Sequence, residues 1–119
     1  MMNSTRSIGI IGENIAHNYL LKKGYKILEK NFRVKAGEID VIALINQTIV
    51  FIEVKSRSSN KFGLPSESDD YRKQEKIIRV AQNYLNFKSL VDYQFRFDII
   101  EVYLNSNEKI NHIQNAFWT

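Results

Sequence analysis

Two short runs, Gly37-Glu38-Ile39-Asp40 and Phe51-Ile52-Glu53-Val54-Lys55, hold two acids and a lysine at a spacing that metal-assisted hydrolysis can use. Residues 38–45 and 48–57 each read as a strand, with Asn46-Gln47 as a two-residue turn between them. Ile45 then faces Thr48, and counting back along the antiparallel ladder brings Asp40 opposite Glu53, with Lys55 on their face. Opposed side chains lie about 5 Å apart, where two bare carboxylates repel by roughly 3 to 4 kcal/mol at an effective dielectric of about 20. A divalent cation offsets that repulsion: hard oxygen donors suit Mg²⁺ or Mn²⁺, and an adjacent ammonium adds positive charge without taking a coordination position. The competing explanation is a solvated face, because the same register sets Glu38 opposite Lys55 as a plain ion pair. Apolar neighbours argue against it. Ile42, Leu44 and Phe51 share the acid face, and Ile39, Val41, Val50, Ile52 and Val54 take the other, so both sides of the hairpin read as covered. Charges on a covered sheet need partners or a metal.

At 119 residues the chain reads as one domain, 1–119, with room for a single continuous core. An apolar fraction of 44% and one proline exclude disordered and collagen-like classes, and no apolar run reaches the length of a bilayer span. No basic amino-terminal region precedes an apolar stretch and a small-residue cleavage site, so a cytoplasmic protein is expected. The absence of cysteine removes disulfides, zinc-thiolate sites and thiol nucleophiles together. A net charge of +4 and a pI near 9.3 suit an anionic partner such as nucleic acid.

The elements around the hairpin follow from periodicity. Residues 5–23 predict an amphipathic helix with Ile8, Ile11, Ile15 and Tyr19 on its packing stripe and Gly24 ending it. Glu13 falls at the edge of an arc of small residues, Gly9, Gly12 and Ala16, half exposed; by default it is solvated surface, as is His17. Residues 25–33 predict a strand and 34–37 a turn into the hairpin. Residues 58–68 are polar, with Gly63 and Pro65, and read as a loop. Asp69 or Asp70 can cap a second helix running to Phe87, with Ile77, Ile78, Ala81, Tyr84 and Leu85 as its stripe. Lys73 points toward its buried side, Lys76 and Arg79 toward the open one. Residues 93–104 predict another strand, in which Arg96 and Asp98 form an intrastrand ion pair, and a turn at 105–107 leads to a last strand ending near Phe117. The order is α, β, β, β, α, β plus a carboxy-terminal strand, with the second helix as crossover.

Several separate motifs then agree with a known pattern in order and spacing. They are Gly12-Glu13 with Ala16 and Tyr19-Leu20, Gly24-Tyr25, Asn31-Phe32-Arg33, Gly37-Glu38-Ile39-Asp40, Phe51-Ile52-Glu53-Val54-Lys55-Ser56-Arg57, Phe62-Gly63, Lys73-Gln74 with Ala81 and Tyr84-Leu85, and Arg96-Phe97-Asp98. Over nearly its whole length the chain resembles the YraN family of small bacterial proteins. That family resembles the PD-(D/E)XK nuclease superfamily and is similar in core pattern to archaeal Holliday-junction resolvases. The resemblance implies an α/β fold with a restriction-endonuclease-like αβββαβ core, a mixed central sheet flanked by helices, and a carboxy-terminal strand. Asp40 matches the motif aspartate, Glu53 and Lys55 the E-x-K pair, Glu13 the helix carboxylate of resolvase-like members, and Lys73 the lysine opening the second core helix. Ile39 stands where the superfamily name expects proline, a residue that shapes the strand and binds no metal.

These residues together predict a metal-dependent endonuclease acting on phosphodiesters, branched or processed DNA included. Asp40, Glu53 and the Val54 carbonyl would hold Mg²⁺ or Mn²⁺, and Glu13 would complete the shell directly or through water. Lys55 would orient the attacking water or stabilise the transition state. Lys73, Arg57, Arg33 and Lys35 are expected phosphate contacts, each also explicable as solvated charge. Nucleic acid is the expected partner, DNA ahead of RNA, with no membrane and with a homodimer allowed. One alternative keeps the fold as a non-catalytic nucleic-acid-binding module or an accessory in DNA repair or uptake; another is a protein-interaction domain with a structural hairpin.

Overall fold

The computed structural model describes residues 5–57, 71–90, 92–105, 107 and 109–117. Apolar stripes at helical spacing give α1 (Thr5–Lys22) and α2 (Tyr71–Lys88), and β-branched and aromatic runs give β1 (Lys26–Val34), β2 (Gly37–Ile45), β3 (Thr48–Arg57), β4 (Gln94–Tyr103) and β5 (Lys109–Ile113). The strands form one sheet in the order β1-β2-β3-β4-β5. Only β3 and β4 run parallel; a parallel pair needs a long crossover, and α2 lies between these two strands in the chain. The expected αβββαβ order with an added carboxy-terminal strand is therefore present, as a mixed α/β sheet flanked by helices. The 58–68 loop, Phe62-Gly63 and the capping Asp69 and Asp70 lie outside the described residues.

The sheet is covered on both faces. On one side Ile42, Ile49 and Phe51 pack with Ile77, Val80, Ala81 and Tyr84 of α2. On the other Val41, Ala43, Val50 and Ile52 pack with Ala16 and Leu20 of α1. Central strands β2 and β3 thus read as nearly continuous apolar runs, and a charge within them must answer to its neighbours rather than to water.

Three expectations are corrected by the packing. The buried line of α1 is Gly12, Ala16 and Leu20 together with His17, whereas Ile11 is exposed and Ile8, Ile15 and Tyr19 are half-buried. Small residues win because they let the helix approach β3 closely: a Cβ on Gly12 would lie 1.8 Å from Ser56 Oγ and 3.0 Å from Ser56 Cβ. The contact face is turned by roughly 100° from the isoleucine stripe, one residue's rotation, and this carries His17, expected at the surface, to 7% exposure. Burial and nearby Lys30 push the His17 pKa down. The last strand ends at Ile113 rather than near Phe117. Asn115 takes a φ of 52°, the Ala116 amide donates to the Phe97 carbonyl at 2.7 Å, and the Phe117 ring stacks on Phe97 with centroids 5.0 Å apart. Burying that ring beside α2 outweighs continuing the ladder.

The glycine contact yields a sign test. Ala is ordinarily the better helix residue by about 1 kcal/mol, and Gly9→Ala, which meets nothing within 4 Å, should stabilise the protein by about 0.5 to 1 kcal/mol. Gly12→Ala should instead destabilise it by about 1 to 3 kcal/mol through overpacking. Urea unfolding of both variants, and of Gly12→Ala in a Ser56→Gly background, measures the difference; most of the Gly12→Ala loss should disappear in that background.

Candidate active site

The hairpin has the expected register. Asn46, with φ 55°, makes the two-residue turn possible, and pairing runs from Ile45–Thr48 to Val41–Ile52. Regular pairing stops there, one rung short of Asp40 and Glu53. Beyond it the Val54 amide donates to Asp40 Oδ2 at 2.8 Å, so a carboxylate now accepts from the neighbouring strand's backbone.

Asp40 also marks a break in the alternation of β2, which corrects the assignment of Ile39 to the Val41 face. Ile39 packs with Ile42 and Phe51 on the α2 side, while Val41 packs on the α1 side. Across from it in β1, Asn31 takes a φ of 52° between the pairs Lys30–Val41 and Phe32–Ile39, so the backbone departs from extended geometry at the same rung. Asp40 is left at the junction of the two faces, where it feels Glu13 from α1 and Glu53 from β3.

A cleft of about 520 Å³ opens there, lined by Asp40, Glu53, Arg72, Lys73 and Lys76 among others. Glu53 Oε2 meets Lys73 Nζ at 2.7 Å and Lys55 Nζ at 3.7 Å. Glu53 Oε1 is buried and has no hydrogen-bond partner among the described residues. Lys55 is almost fully covered, its side chain 9% exposed, whereas Lys73 is 44% exposed. Glu38, the rival partner considered for Lys55, engages Arg33 at 3.2 Å.

Electrostatics follow from this crowding. Burial, and after it the charges of Glu13, Glu53 and Glu38, push Asp40 up to about 6 against the pull of the Val54 amide. Burial and Glu38 also raise Glu13, while a hydrogen bond with Asn31 lowers it. Metal ligands must be deprotonated. If Asp40 is a ligand, Mn²⁺ affinity should fall as pH drops through about 6, the value of Asp40, and isothermal titration between pH 5 and 8 checks it; a flat profile would separate Asp40 from any bound cation.

The donors suit a hard cation. Among the described residues no three His, Asp or Glu side chains gather into a ready cage. What is present is one buried carboxylate oxygen seeking a partner, the Asp40 carboxylate beside it, and the Val54 carbonyl on the same strand as Glu53. Such a partial set fits Mg²⁺ or Mn²⁺, which keep several waters and take substrate phosphate oxygens.

The cleft brings together Asp40, Glu53 and Lys73, with Lys55 beside Glu53. Glu13 approaches near enough to raise Asp40. Arg33 and Lys35 are exposed on or beside β1. Arg57 engages the fully buried Glu101 at 3.3 Å, and Glu101 also accepts from Asn111 and Tyr103. Glu101 was missed, and its only signal was a lone acid within the apolar run Ile99-Ile100-Glu101-Val102. The expected Arg96–Asp98 pair forms at 3.0 Å and extends further: His112 Nε2 meets Asp98 at 2.8 Å and Tyr19 meets His112 Nδ1 at 2.9 Å. Burial alone would raise Asp98, but His112, Arg96 and the Asn115 amide hold it below the usual carboxylate range. That network ties α1 to β4 and β5.

A family model described as uncharacterised protein family UPF0102 matches residues 12–102. The chain belongs to the UPF0102 family. The UPF0102 match begins one residue before Glu13 and takes in Asp40, Glu53, Lys55, Lys73 and Glu101. Among relatives, a UPF0102 protein of Caldanaerobacter subterraneus subsp. tengcongensis is 59% identical over 116 residues, covering 94% of this chain and 95% of its own. Another, from Clostridioides difficile, is 56% identical over 109 residues, covering 92% and 95%. A solved structure of Pyrococcus furiosus SfsA in complex with Ca²⁺ aligns over 93% of this chain and 64% of its own at 14% identity, with a TM-score of 0.35, a likeness too distant to bear on chemistry. No helix among the described residues is long and apolar enough to cross a membrane.

Proposed function

We propose that this UPF0102 protein is a cytoplasmic, metal-dependent nuclease of the PD-(D/E)XK type that hydrolyses nucleic-acid phosphodiesters, DNA ahead of RNA. The observation that carries the proposal is Glu53: a half-buried carboxylate whose buried Oε1 has no protein partner among the described residues, set in a cleft with Asp40 and a basic rim. A purely structural ion cluster satisfies its buried oxygens, because each one left unpaired is costly. Asp40, Glu53 and the Val54 carbonyl would hold Mg²⁺ or Mn²⁺, with Glu13 acting through water. When bound, the cation supplies Lewis acidity toward a phosphoryl oxygen and a more acidic attacking water. Lys55, held rigidly by burial, orients that water or meets the charge that develops in the transition state. Arg72, Lys73 and Lys76 draw the phosphate backbone into the cleft. The test is a panel of flap, junction, single-stranded and duplex substrates with Mg²⁺ or Mn²⁺. Cleavage abolished by Glu53→Gln supports the proposal; salt-dependent binding without cleavage on every substrate would replace it with a non-catalytic binding module.

A further inference from the structure

Glu53 is held by two lysines of different kinds. Lys55 belongs to the sheet, is almost fully buried, and stands 3.7 Å from Glu53 Oε2. Lys73 belongs to the first turns of α2, is 44% exposed at the cleft, and makes the short contact at 2.7 Å. An ammonium at that distance draws charge out of the carboxylate and sets a positive charge beside any cation the carboxylate would bind. Lys73 and a divalent cation therefore compete for the same group. Lys73 also lines the cleft together with Arg72 and Lys76, where a phosphodiester would bring a second anion within its reach.

We infer that Lys73 is an exchangeable counter-ion: it holds Glu53 until a phosphodiester enters the cleft, then moves to the phosphate and releases the carboxylate to the cation. Cation and nucleic acid then bind with positive coupling through one side chain. The inference rests on the reading of the cleft as a cation site, and it differs from a plain phosphate contact in one respect. A plain contact leaves cation affinity unchanged when nucleic acid is absent. Exchange makes Lys73 an inhibitor of cation binding under that condition, and the inhibition vanishes once a phosphodiester is bound.

Calorimetric titration of Mn²⁺ into the full chain without nucleic acid reads this directly and needs no turnover. Lys73→Ala and Lys73→Gln should each bind Mn²⁺ about tenfold more tightly than wild type, within the usual range of coupling between two ligands. Lys76→Ala removes the same charge from the same cleft and sets the through-space baseline, expected within about threefold of wild type. With a saturating phosphorothioate duplex, wild type and Lys73→Ala should converge. Equal Mn²⁺ affinity of Lys73→Ala and Lys76→Ala, or weaker binding by Lys73→Ala, overturns the exchange. An Asp40→Ala, Glu53→Ala double variant distinguishes the two levels of the argument. If it binds Mn²⁺ as wild type does, the cation site and the exchange fail together; if it loses Mn²⁺ while Lys73→Ala gains nothing, only the exchange fails.

Discussion

Asp40→Asn is expected to give a protein that resists urea better than wild type at pH 8 and, on the proposed cation site, gains nothing from Mn²⁺. Burial and the acids Glu13, Glu53 and Glu38 lift Asp40 from 3.8 to about 6, so the folded state keeps a proton that the unfolded chain releases. Stability from this group is complete below the unfolded value and is lost as pH rises through about 6. At 1.36 kcal/mol per unit the ionised form costs about 3 kcal/mol at pH 8. An asparagine carries no charge yet still offers an oxygen to the Val54 amide, which Asp40 accepts at 2.8 Å. The gain should be about 1 to 3 kcal/mol at pH 8 and should shrink to nothing near pH 4, where both side chains are neutral. Saturating Mn²⁺ should raise the unfolding midpoint of wild type and leave the variant unmoved, because only a ligand bound to the folded state stabilises it. A variant less stable than wild type at pH 8 would show that the Asp40 charge is a structural partner and not a ligand in waiting.

Parts of this molecule that depend on local pattern were legible in its sequence, and parts set by contacts between distant elements were not. The hairpin was legible because a two-residue Asn-Gln turn and a strict period of two leave little freedom: Ile45 meets Thr48 and the register follows to Val41–Ile52. It ceased to be legible at Asp40, where pairing stops and Ile39 joins the wrong face for simple alternation. The irregular rung involves a second strand, where Asn31 takes a positive φ between the pairs Lys30–Val41 and Phe32–Ile39, and a local pattern on β2 does not carry that. In α1 the isoleucines outrank glycine and alanine on any hydrophobicity scale, yet Gly12 and Ala16 are the contact, because close approach to Ser56 depends on the absence of a side chain. His17 was misjudged for the same reason. In the site, Asp40, Glu53 and Lys55 could be gathered from spacing on the hairpin, whereas Lys73 was placed there only by the family resemblance, its helical line indicating no more than the buried side of α2. Glu101 could not, because its partners Arg57, Tyr103 and Asn111 come from three strands, and Phe117 left the expected strand for a ring contact that no periodicity announces.

On the proposed nuclease activity, Lys55→Ala should lower cleavage at saturating substrate by at least about a hundredfold, the scale of one positioned catalytic group, while Mn²⁺ affinity holds or rises. Burial makes this lysine unusual. A side chain 9% exposed in a sheet covered on both faces has given up its hydration, and a buried ammonium persists only where fixed negative charge compensates it. Glu53 supplies part of that charge, but its close partner is Lys73 at 2.7 Å, with Lys55 farther off at 3.7 Å. In the proposed nuclease this ammonium, rigidly placed beside the Glu53 carboxylate, has a second task, to meet the charge that develops on a phosphoryl group. Lys55→Met, which keeps most of the packing and removes only the charge, separates the two roles. Equal loss of turnover in Lys55→Ala and Lys55→Met, with folding intact by circular dichroism and nucleic-acid affinity unchanged, assigns the effect to the ammonium. Unfolding of both variants would instead make Lys55 the charge that keeps Glu53 in the sheet.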